Sequence, residues 1–63
     1  MNEYKVSMFN MATSQMDSVE VFAGCYAIRD GILHFYTRWG DELPIHSFAD
    51  GSWQMVLQVV EPN

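Results

Sequence analysis

The sequence predicts an all-β fold: a small antiparallel meander of four to five strands, arranged as a twisted sheet or a half-open barrel. Three observations support it. Asp30-Gly31 lies between two runs rich in apolar, aromatic and β-branched residues, a strong short-range hairpin signal. Glu3 to Phe9 and Trp53 to Val60 both alternate with a period of two. A second Asp-Gly turn, Asp50-Gly51, follows a short apolar run. The 63 residues form one domain spanning 1–63, a length at which only about 60% of the unfolded surface can be buried.

In chain order, the first strand places Tyr4, Val6 and Met8 on one side and Glu3, Lys5 and Ser7 on the other. Residues 8–17 are polar and interrupted, which suggests a loop or turn. Met8, Met11, Ala12 and Met16 also fit one side of a short N-terminal helix, which would make the fold α+β. Val21 to Trp39 then reads as the central hairpin. A two-residue loop pairs Arg29 with Ile32, Ile28 with Leu33, Tyr26 with Phe35, Gly24 with Thr37 and Phe22 with Trp39. That register puts Ile28, Leu33, Tyr26, Phe35, Phe22 and Trp39 on a core face. A three-residue loop with a glycine bulge would slip the register by one and turn the first strand over. In both registers Ile32, His34, Tyr36 and Arg38 share the opposite face. Leu43 to Phe48 is a short strand that Pro44 confines to an edge or an entry position. The Asp50-Gly51 turn leads into the last strand, pairing Ile45 with Met55 and Leu43 with Leu57.

Composition narrows the function classes. Hydrophobic residues make up 49% of the chain and charged residues only 17%, so one layer cannot bury every large side chain. Self-association or a standing partner is the natural outlet. The net charge of −5 argues against a nucleic-acid backbone and against anionic membranes, and permits a basic protein surface. Cys25 is the only cysteine, so no internal disulfide forms. The N-terminus lacks the basic start and apolar run of a signal peptide. No apolar stretch approaches the roughly 18 residues of a membrane span. A cytoplasmic protein is expected, and Met1 suggests a complete reading frame.

No motif carries chemistry. His34, His46 and Cys25 lack metal-ligand spacing, and neither a metal nor another cofactor is expected. In the two-residue-loop register Cys25 and His34 are diagonal neighbours. A flat strand face, however, offers no cleft and no oxyanion hole, so catalysis is not expected. Two candidate surfaces remain. The meander gathers Asp17, Glu20, Asp41, Glu42 and Glu61 on one rim, with Arg38 the nearest base and Arg29 near the other end. This charge pattern suits steering of a basic partner. Ile32, His34, Tyr36, Arg38 and Trp39 form an aromatic and apolar interface of the kind that anchors protein partners. Base stacking on that face would need a basic groove, and Lys5, Arg29 and Arg38 are too few to make one.

The reading that follows is a small acidic non-catalytic interaction protein that binds and blocks a larger, basic nucleic-acid-handling protein. In size and charge alone the chain is similar to small acidic phage-encoded inhibitors, including anti-CRISPR proteins and DNA mimics. The compartment would then be the host cytoplasm. No motif is shared with such proteins, so no residue roles carry over. The alternative is a self-assembling structural or accessory module acting as a homodimer. It would use the Ile32-His34-Tyr36-Arg38 face or an unpaired edge strand.

Overall fold

A computed structural model describes residues 1–60 of the chain. The described residues are all-β, without a helix. The six strands are β1 (Asn2–Asn10), β2 (Gln15–Ala23), β3 (Cys25–Arg29), β4 (Ile32–Tyr36), β5 (His46–Phe48) and β6 (Met55–Val59). They form two three-stranded antiparallel sheets, ordered β2-β1-β6 and β3-β4-β5. The body is thin, with Cα extents of 36 × 35 × 14 Å.

The central hairpin adopts the two-residue-loop register, from Cys25 opposite Tyr36 to Arg29 opposite Ile32. Asp30 and Gly31 have φ of 53° and 78°. Positive φ at both central residues defines the turn whose twist matches that of the flanking strands.

Gly24 joins the two sheets, because only this residue separates β2 from β3. Its N–H donates to the Tyr36 carbonyl at 2.8 Å. A Cβ at Gly24 would overlap the Thr37 carbonyl, so the close neighbour is backbone and only glycine fits. The bend also switches which side chains face inward. Val21 and Ala23 are buried in the core before it, whereas Tyr26 packs against the core after it. The core face expected for the hairpin is corrected accordingly. Leu33, Phe35 and Tyr26 belong to the core, but Phe22 is 56% exposed, Ile28 is half-exposed and Trp39 is 75% exposed. Phe22 lies opposite Glu3 of β1 instead of Trp39.

Residues 8–17 form neither a helix nor a long loop. β1 runs on to Asn10, which lies opposite Gln15 of β2. Asn10 Oδ1 accepts the Ala12 N–H at 3.0 Å, a local side-chain turn that competes with helix formation. Ser14 closes the turn in the left-handed region, at φ 57°.

The pairing of Ile45 with Met55 and of Leu43 with Leu57 is also corrected. β5 lies against β4, with Phe35 opposite His46, while β6 lies against β1, with Lys5 opposite Leu57. The turn between them explains the separation. The indole Nε1 of Trp53 donates to the Gly31 carbonyl at 3.0 Å, which anchors the chain beside the central turn. Gln54 N–H then donates to the Ser7 carbonyl at 2.8 Å, delivering the last strand to the other sheet. The N-terminal strand thereby becomes the centre of its sheet.

The core comprises Tyr4, Val6, Val21, Ala23, Leu33 and Phe35. Tyr4 meets Tyr26 edge-on and Phe35 at a tilt, both at 5.4 Å between ring centres. Such pairs contribute about 0.5–1.5 kcal/mol beyond area burial. Phe35 and Leu33 are fully buried, each stabilising the fold by roughly 1.5–3 kcal/mol.

Candidate interaction surfaces

The chain between β4 and β5 folds as a compact turn at Arg38–Asp41. Arg38 N–H donates to Asp41 Oδ2 and Asp41 N–H donates to the Arg38 carbonyl, each at 3.3 Å. The guanidinium of Arg38 lies 3.8 Å from Asp41 Oδ1. Gly40 supplies the left-handed residue at φ 91°. These contacts hold the backbone on either side of Trp39 while its indole projects into solvent.

Trp39 stands between two hollows. One, of about 390 Å³, is lined by Ala27, Arg29, Tyr36, Trp39, Asp41 and Glu42 among others. The second, of about 470 Å³, places Trp39 beside Tyr4, Tyr26, Cys25 and Gln58. The first hollow combines two carboxylates, a guanidinium and two aromatic side chains. It can receive a long side chain with a cationic head, whose stem would lie along the rings.

The residues expected on an acidic rim are spread out. Asp41 and Glu42 share the Trp39 hollow with Arg29, which the sequence places at the opposite end. Asp17 lies on β2, on the other side of the Gly24 bend, and accepts a hydrogen bond from Asn10 Nδ2 at 2.9 Å. Glu20 lies opposite Lys5 on the outer face of the first sheet. Glu61 falls outside the described residues.

The aromatic and apolar interface is divided in the same way. Tyr36 is 8% exposed and lies under the loop that carries Trp39. Ile32 and His34 are half-buried, and His34 Nδ1 shares a hydrogen bond with Ser47 Oγ at 2.8 Å. Arg38 and Trp39 are the exposed members. Cys25 is buried opposite Tyr36 rather than presented to a substrate. Among the described residues, no three His, Cys, Asp or Glu side chains are placed to hold a metal ion. No helix there is long and apolar enough to cross a membrane.

Sequence reasoning missed the outer face of the β2-β1-β6 sheet. Phe22, Met16 and Phe9 lie there on β2 and β1, with Met55, Leu57 and Val59 on β6, all substantially exposed. The period of two in the last strand was visible. Its outward direction was not, because it depends on β6 pairing with β1 and on Trp53 turning inward. The chain matches no family model, no curated protein and no solved structure.

Proposed function

We propose that the chain is a non-catalytic interaction protein that binds a larger, basic protein through the Trp39 hollow, acting in the cytoplasm as an inhibitor of that protein. The observation that carries this reading is the exposed Trp39 indole, set by a hydrogen-bonded turn beside Asp41, Glu42 and Tyr36. An aromatic anchor bordered by carboxylates suits a Lys or Arg side chain of the partner. Cation–π contact with the indole supplies the attraction there, because Arg38 and Arg29 offset the charge of Asp41 and Glu42. The net charge of −5 adds long-range attraction to a basic surface and raises the association rate at low salt.

The test is affinity capture from a lysate of the source organism with the wild-type chain and a Trp39→Ala chain, at low and high salt. One basic protein held by wild type at low salt and released at high salt is expected. Its recovery should fall at least about tenfold with Trp39→Ala, since anchor truncations of this kind cost 2 kcal/mol or more. Equal recovery by both baits, or no specific protein at low salt, would remove the Trp39 hollow as the binding surface.

A further inference from the structure

We infer that the free edge of β6 is a dimerisation edge, pairing antiparallel with the same segment of a second copy of this chain. This inference does not rest on the hollow of Asp41 and Glu42, although Gln58 lines the second hollow beside Trp39.

The register identifies which backbone groups are free. The Ser7 carbonyl accepts from Gln54, so Glu3, Lys5 and Ser7 turn their backbone groups toward β6. Their partners Val59, Leu57 and Met55 turn theirs toward β1. In an antiparallel ladder the alternate residues point the other way. The N–H and C=O groups of Val56, Gln58 and Val60 therefore lie along the edge, where no strand among the described residues is paired with β6.

Charge separates this edge from the others. The free edge of β2 carries Asp17 and Glu20, and the β3 edge ends in Arg29 and Asp30. β5 bears His46 and runs into Asp50. Ser52 to Val60 contains no charged residue. Charged side chains protect an edge against pairing, and an uncharged apolar edge invites it. Two copies that each carry a charge of −5 can approach most closely along the strand that itself holds no carboxylate, Glu61 following after Val60.

The sequence of this edge is also self-complementary. A two-fold axis at Gln58 sets Val56 against the partner's Val60 and Leu57 against the partner's Val59. Gln58 then faces its own copy, and an amide both donates and accepts, so the pair satisfies itself. Each hydrogen-bonded pair exchanges two bonds, giving about six across the axis. Met55, Leu57, Val59 and Val60 are all exposed by more than a third. Edge pairing covers the edge backbone and the flanks of these side chains, which makes a small interface below the standard size of a specific complex. A dimer that forms at micromolar concentration is expected.

Sedimentation equilibrium of the wild-type chain tests this, and should show the mass rising from one chain to two with concentration. Gln58→Lys places like charges at the axis and should raise the dimer Kd at least about tenfold with an unchanged circular dichroism spectrum. Val60→Lys is the second variant and should act in the same direction. Gln58→Cys should cross-link two copies under mild oxidation, because Cα atoms in a hydrogen-bonded pair lie about 5.5 Å apart, within disulfide range. Leu57→Cys should cross-link far less, and the buried Cys25 should stay reduced. A wild-type chain that is monomeric at every concentration would overturn the inference. A dimer indifferent to both lysine variants, or cross-linking equally at 57 and 58, would overturn it as well.

Discussion

The two hairpins of this chain are built alike and supported very differently. β3–β4 is closed by a two-residue turn and has Leu33 and Phe35 fully buried beneath it. β1–β2 is longer, but among the described residues its far end has no third strand. β6 reaches only as far as Ser7, and Met8 to Asn10 and Gln15 to Asp17 pair with each other alone. A two-stranded ribbon in water is marginally stable. Buried side chains therefore concentrate around Tyr4, Val6 and the central hairpin, while Phe9, Met11 and Met16 remain exposed at the tip. Turn chemistry sets a hairpin's register, and its stability comes from what lies beneath it.

Substitutions can break or sharpen that contrast. The largest effect is expected from Phe35→Ala, which leaves a cavity under the central hairpin and should cost about 4 kcal/mol in urea denaturation. In a domain of this size that loss approaches the whole stability. Gly24→Ala should cost about 3 kcal/mol, because the new methyl group meets the Thr37 backbone, which cannot rotate away as a side chain would. Gly31→Val should cost about 2 kcal/mol: φ is 78°, and the Asp50 carboxylate crowds the same position. Normal thermal stability of that variant would contradict the turn assignment. The arm should respond with the smallest change and the opposite sign. Ser14→Gly relieves a left-handed residue at φ 57° and should stabilise by about 0.5 kcal/mol.

The same contrast explains which features were legible in the sequence. The Asp30-Gly31 hairpin is local, and its register followed from two residues and their flanking runs. The bend at Gly24 depends on Thr37, which approaches through its backbone, so no side-chain pattern announces it. The local pattern therefore places Phe22 and Trp39 in the core, whereas the bend turns Phe22 outward and the Arg38–Asp41 turn carries Trp39 away. The partner of the last strand was misassigned because β5 and β1 both offer an edge. Two tertiary hydrogen bonds accompany the choice, from Trp53 to Gly31 and from Gln54 to Ser7. Of the candidate site, Trp39, Asp41, Glu42 and Tyr36 were each recognisable as aromatic anchors or turn carboxylates. Their common hollow with Arg29 became visible only when the loop folded back over the second sheet.

The division between a closed half that holds the fold and an open half left for association is tested most directly by residue-resolved amide hydrogen exchange at low and high protein concentration. The strongest protection is expected in the β3–β4 hairpin and around Tyr4, Val6 and Val21, with fast exchange from Phe9 to Met16. Val56, Gln58 and Val60 should exchange fast in dilute solution and become protected as concentration rises. Uniform protection along both hairpins, or edge amides of β6 already protected in the monomer, would contradict that division.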